Sequence, residues 1–176
     1  MNSLIRATRF LSIFHVLLAV IGTSCQPTSG DTIMSNNFEE VANTSAPLPE
    51  VTTEAMHSGS HSYKMNPSAE FGAGWDAPWE TIGDPRKIQV RAWVNLPHGR
   101  LKAAIVVQVK RGGQPYYLRY IMLHQVVKRY QQWEPVHKIF VLPRNIEPSD
   151  QVCVFIWHFD QRHPWYVDDI VVERVD

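Results

Sequence analysis

From Lys87 onward the chain alternates. Ile88, Val90, Ala92 and Val94 interleave with Lys87, Gln89, Arg91 and Trp93, and Ala103, Ile105, Val107 and Val109 interleave with Ala104, Val106, Gln108 and Lys110. A period of two is the mark of a strand. Arg111-Gly112-Gly113-Gln114 then reads as a hairpin turn. Tyr116–Val127 returns as one long strand, Val136–Leu142 forms another closed by Pro143, and Val152–His158 follows. The last strand is Trp165–Glu173. Upstream, Asn37–Val41 reads as a short first strand, and His57-Ser58-Gly59 is a turn that leads into another. Phe71–Trp79, rich in glycine and aromatics, is expected to be a long loop rather than a regular element. No window of useful length repeats at 3.6 residues. About eight strands at close intervals predict an all-β, two-sheet antiparallel β-sandwich.

Two adjacent carboxylates, Asp168 and Asp169, interrupt the apolar run of the last strand. Neighbours on a strand face opposite ways, so one of them should point inward. A buried carboxylate is costly without a hydrogen-bonding, cationic or metal partner. The expected place for that partner is the first strand, at Phe38-Glu39-Glu40.

The 176 residues suffice for one domain with a core and a short extra segment. Lys+Arg and Asp+Glu number 17 each, so no basic excess points to nucleic acid. Residues 1–24 read as an export signal: Arg6 and Arg9 precede an apolar stretch from Phe10 to Ile21. Gly22-Thr23-Ser24-Cys25 then resembles a bacterial lipoprotein cleavage site, with Cys25 as the acylated first mature residue. Gly22 stands where such sites prefer a larger aliphatic residue; simple secretion and an uncleaved anchor are the alternatives. Without the signal, 15 basic residues face 17 acidic ones, a balance suited to a neutral ligand. Residues 25–35 read as a flexible tether and 36–176 as the sandwich. Cell-envelope localisation follows, with an outer-membrane lipoprotein facing periplasm or exterior. Cys153, between Val152 and Val154, reads as a small buried hydrophobe.

Six segments occur in a telling order: Asn37-Phe38-Glu39, His57–Tyr63, Val90–Val94, Gln132–Val136, Val154–Trp157 and Tyr166–Ile170. Together they resemble a galactose-binding-like jelly-roll carbohydrate-binding module, of the type appended to xylanases and glucanases. The resemblance implies a structural calcium ion where first and last strands meet. Its ligands would be side-chain oxygens of Glu39 and of Asp168 or Asp169, with backbone carbonyls around His57 to Ser60. Such an oxygen set suits calcium. The alternative is that the aspartates pair with Lys or Arg, or cap turns.

Sugar binding calls for flat aromatics and polar groups that take hydroxyls. The resemblance puts Trp93, Trp133 and Trp157 at framework positions. That leaves Trp75 and Trp79 in the expected loop, Tyr116, Tyr117 and Tyr120 with Arg119 and His124 on the long strand, and Gln108 on its hairpin partner. On a strand, Tyr120, Met122 and His124 share one face, and Arg119 and Ile121 the other. His158, Asp160 and His163 cluster before the last strand, where turn or surface use is the simpler reading than a metal site. The chain has no Gly-x-Ser-x-Gly elbow and no His-Glu-x-x-His run, and catalysis is not expected. The favoured reading is a non-catalytic envelope lipoprotein that binds glycan. The alternatives are an adaptor sandwich that binds another envelope protein, and a small hydrolase or lyase with a deep cleft.

Overall fold

The computed structural model describes residues 31–45 and 48–175. The expected export signal and Cys25 lie outside these residues. Ten strands are described: β1 (Thr32–Asn36), β2 (Val51–Thr52), β3 (Ser62–Met65), β4 (Phe71–Pro78), β5 (Lys87–Asn95), β6 (Ala103–Arg111), β7 (Gln114–Met122), β8 (Trp133–Val141), β9 (Gln151–His158) and β10 (Trp165–Arg174). Two short helical turns, α1 (Glu39–Ala42) and α2 (Leu123–Val126), interrupt them.

The strands form the expected two-sheet antiparallel sandwich. One sheet has the order β2-β3-β10-β5-β8, with β1 also paired to β10; the other has the order β4-β9-β6-β7. The alternating apolar rows meet between the sheets. Ile88, Val90, Ala92 and Val94 of β5 and Val167 and Val172 of β10 belong to one core with Ile105, Val107 and Val109 of β6 and Val152, Val154 and Ile156 of β9. Burial of this apolar surface is the main drive for the fold.

Three elements differ from the reading of the sequence. The first strand begins at Thr32, inside the expected tether, and ends at Asn36. There the Asn36 side chain accepts the Phe38 backbone N–H at 2.8 Å, and Phe38 takes a left-handed conformation (φ 65°). That turn starts α1, so Glu39 projects from a helical turn and not from a strand.

Phe71–Pro78 is not a loop but β4, paired along β9. Its alternation is masked because Gly74 occupies an outward position opposite Phe155. A Cβ at Gly74 would lie 2.9 Å from the Phe155 Cβ, so glycine there serves close approach.

Finally, the long strand expected to reach Val127 stops at Met122. Continued alternation from Ile121 and Leu123 would turn the polar Gln125 inward. The helical turn instead buries Leu123 and Val127, four residues apart, and leaves Gln125 exposed.

Candidate functional site

The outer surface of the β4-β9-β6-β7 sheet collects aromatic side chains. On β9, Cys153, Phe155 and Trp157 alternate with the core residues Val152, Val154 and Ile156 and so face away from the core. Register places Phe71 beside Trp157, Gly74 beside Phe155 and Asp76 beside Cys153. On the other side Val106 lies beside Phe155 and Gln108 beside Cys153, and β7 adds Tyr120 and Leu118 opposite these two. The rings form a continuous group. Phe71 and Trp157 have centroids 5.6 Å apart, Phe71 and Phe155 5.9 Å, Tyr120 and Trp157 6.2 Å, and Trp157 and Phe159 4.4 Å. Phe71 is 54% exposed, a large apolar ring left in water.

A hollow of about 740 Å³ runs along this face, lined by Phe71, Phe155 and Trp157 with Asp76, Gln108 and Lys110 as polar groups. Gln108 is nearly buried in the middle of the sheet. Its amide offers both donor and acceptor to a bound hydroxyl. Burial raises the Cys153 thiol above its ordinary pKa.

Of the residues proposed from sequence for sugar contact, Gln108 and Tyr120 lie on this face. Trp75 lines its rim but pairs with Val154 and packs against the core. Trp79 is a core residue in the turn after β4, 6% exposed. Tyr117 and Arg119 sit on the opposite face of β7. The Tyr117 hydroxyl donates to the Val141 carbonyl at 2.9 Å, and the Arg119 guanidinium lies 4.9 Å from the Tyr117 ring. His124 is carried off by α2, and its Nδ1 is buried without a partner among the described residues. Tyr116 donates its hydroxyl to Asp150 at 2.8 Å.

Four aromatics of the face, Phe71, Phe155, Trp157 and Phe159, are not among the residues expected from sequence to touch sugar; the resemblance assigns Trp157 to packing. The signal was present: β9 is apolar on both rows, with aliphatics on one and Cys, Phe and Trp on the other.

The partner expected for the two aspartates at Phe38-Glu39-Glu40 is not there: Asp168 and Asp169 bond the turn at His57 and Ser58, and Glu39 bonds the same loop separately, at Ser60 and His61. Asp168 pairs with Trp93 and Val171 with Arg91, so β10 holds one extra residue here, and Asp169 has a left-handed φ of 48°. This bulge overturns the expectation that the two carboxylates face opposite ways. Both reach the 57–58 backbone turn. Asp168 Oδ2 accepts the N–H groups of His57 (3.0 Å) and Ser58 (3.2 Å), while Asp169 accepts the Ser58 hydroxyl (2.8 Å) and pairs with His57 Nδ1 (2.6 Å). From the other side, Glu39 Oε1 accepts the N–H groups of Ser60 (2.6 Å) and His61 (2.7 Å), and Oε2 pairs with His61 Nδ1 (2.8 Å). These bonds, the His61 pair first, hold the Glu39 carboxyl below its ordinary pKa.

Among the described residues, no three His, Cys, Asp or Glu side chains gather as a metal cluster. The five expected ligands instead share one loop. Glu39, Asp168 and Asp169 present carboxylates to it, and Ser60 presents its N–H. Asp168 is fully buried, and its bonded partners are neutral N–H groups. Burial raises its pKa. A buried carboxylate bonded only to N–H groups among the described residues, beside a second one paired with His57 and a hydroxyl, fits a hard, oxygen-seeking cation in donor type. Such an ion would need loop carbonyls as well.

No protein-family model and no curated protein matches the chain. Solved structures do. The C-terminal family 22 carbohydrate-binding module of Clostridium thermocellum Xyn10B is similar with a TM-score of 0.56 at 14% identity, over 85% of this chain and 96% of that one. The second family 22 xylan-binding domain of Paenibacillus barcinonensis Xyn10C gives 0.56 at 12%, over 81% and 99%. The first such domain of that protein gives 0.52 at 18%, over 84% and 97%. At these identities the likeness is one of fold, and the chain has the jelly-roll β-sandwich of these carbohydrate-binding modules.

Proposed function

We propose that this protein is a non-catalytic module that binds polysaccharide along the outer face of the β4-β9-β6-β7 sheet. One observation carries the reading: a run of outward aromatics, Phe71, Phe155, Trp157 and Phe159, of which the first three line a hollow together with the amide of Gln108. Flat apolar rings suit sugar faces, and an amide suits hydroxyls. The similar structures are named for xylan binding, which makes xylan the first polymer to try. The test is calorimetric titration of the mature chain with xylan and with a panel of neutral and acidic polysaccharides. Binding that W157A weakens supports the reading; a folded protein with no affinity for any polymer overturns it. Release of no new reducing ends on long incubation is the result expected of a non-catalytic module.

The buried Asp168, in no ion pair among the described residues, supports a structural calcium ion held by Asp168 or Asp169 and Glu39 with loop carbonyls. Calcium would supply counter-charge and join the loop to both ends of the domain. Export and acylation of Cys25 belong to the same proposal, resting on the sequence alone. Mass spectrometry of the membrane fraction from the native host, with a diacylglyceryl-modified Cys25 as the expected result, tests them.

A further inference from the structure

The outward row of β9 does not end with the strand. Cys153, Phe155 and Trp157 lead to Phe159, whose ring is tilted against Trp157 with centroids 4.4 Å apart, and then to Asp160, Arg162 and His163. The outward row of β6, read backward through Ala104, continues to exposed Lys102 and Arg100, with His98 beyond. The two rows are adjacent, since Ala103 pairs with His158 and the Phe159 N–H donates to the Lys102 carbonyl at 2.9 Å. They meet at a pocket of about 360 Å³ lined by His98, Arg100, Asp160, Arg162 and His163.

The pocket is built and not a chance scatter of charge. His98 and His163 pack edge to face with centroids 4.7 Å apart. His98 Nδ1 accepts the Arg100 backbone N–H at 3.2 Å. The Lys102 backbone N–H donates to Asp160 Oδ2 at 3.2 Å. Beneath it lies His158, fully buried, with Nε2 3.0 Å from Asp160 Oδ1 but off the angle of a hydrogen bond. Neither His158 ring nitrogen has a hydrogen-bond partner among the described residues, nor has Trp165 Nε1. Arg100 and Arg162 are both exposed, and no ion pair among the described residues engages either guanidinium. The chain as a whole is balanced at 17 basic and 17 acidic residues, so the cationic excess here is local.

We propose that this pocket takes the carboxylate of a uronic-acid residue, so that the polysaccharide on the aromatic face is an acidic one. The inference rests on the glycan-binding reading above and names its ligand class. Two unpaired guanidinium groups match a carboxylate, which arginine takes through paired N–H donors. Asp160 at the wall disfavours a bare anion, which has nothing to donate to it. A uronate ring carries hydroxyls beside its carboxylate, and these suit Asp160 and the imidazoles.

The experiment is titration of the full mature chain with glucuronoxylan, polygalacturonate and alginate, each beside its carboxyl-reduced form, with dextran sulfate as a sulfated control free of carboxylate. The expected result is that at least one intact polymer binds roughly tenfold more tightly than its reduced form, and that R100Q/R162Q removes this difference while leaving affinity for the reduced form unchanged. Equal binding of intact and reduced polymers, or unchanged discrimination in R100Q/R162Q, overturns the inference and leaves the aromatic face standing. Preference for dextran sulfate over every uronate polymer overturns the carboxylate assignment. Absence of binding to any polymer, neutral or acidic, overturns both readings. The two arginines are exposed, and an unchanged melting midpoint of the double variant shows that it is folded.

Discussion

The imidazole of His57 lies flat on the indole of Trp93, with ring centroids 3.7 Å apart and planes 15° from parallel. Trp133 meets the same imidazole edge-on at 5.9 Å. Trp93 is also the register partner of Asp168, whose carboxylate holds the His57 backbone. The stack thus closes the loop over a carboxylate that would otherwise face water on the outer side of the larger sheet.

Replacing Asp168 by alanine strips His57, Ser58 and Asp169 of their N–H acceptor at a buried place. Buried donors left unpaired cost about 1–3 kcal/mol each, so D168A should destabilise the fold by on the order of 3 kcal/mol. Urea denaturation of the two proteins measures it.

If calcium occupies this junction, chelation lowers stability by mass action, and added calcium restores it. The expected result is a melting midpoint that falls in EDTA and recovers with calcium but not with sodium. An unchanged midpoint in EDTA argues that the N–H bonds alone hold the loop.

Trp157 and Trp79 should separate binding from folding. W157A truncates a half-buried outward ring, and a central aromatic anchor of this type is worth about 2 kcal/mol, or roughly thirtyfold in affinity. W79A empties a core position and should cost about 3–5 kcal/mol of stability, with affinity unchanged in the molecules that remain folded. Calorimetry and thermal melts on both variants check the split.

Acid should weaken the fold through Asp150. Arg111 holds its carboxyl far below the ordinary range through bonds at 2.9 and 2.7 Å, helped by the Glu147 N–H and the Tyr116 hydroxyl. This contribution is present above the unfolded carboxylate pKa of about 3.9 and is lost as pH falls from there toward the lower folded value. Asp168 runs the other way, because burial raises its pKa and protonation relieves the cost. The expected result is an acid limb of melting midpoint against pH that is flatter in D150N than in the parent.

In alkali the group to watch is Tyr63, in the core and pushed up to about 12 by burial. The unfolded phenol ionises near 10. Stability therefore falls as pH rises from about 10 and levels off above the folded value. Y63F should lessen this loss without abolishing it, because Tyr116 is raised as far and Tyr117 and Tyr166 are raised too, as melts across that range would show.

The strands from β5 to β9 were legible, save for the end of β7 at Met122 and the start of β8 at Trp133, because alternation with β-branched residues allows one reading, and two faces per strand impose a two-layer core. That Asp168 and Asp169 need partners was legible too, because charged side chains inside an apolar run demand them, but the partner is the turn at His57 and Ser58 and not Glu39. Which aromatics face water was not legible. Trp79 and Trp157 are the same residue type in similar apolar company, and only the register of β9 between β4 and β6 turns one outward while the 3₁₀ turn after β4 turns the other in. Likewise β4 was hidden, since Gly74 contributes no side chain to a pattern and its role appears only against Phe155. The direction of Asp169 rests on a one-residue bulge, a packing decision between β10 and three other strands. Local pattern determined the strands and the sandwich; contacts between residues far apart in the chain decided the binding face, because inward and outward become distinct only when a second layer covers one side.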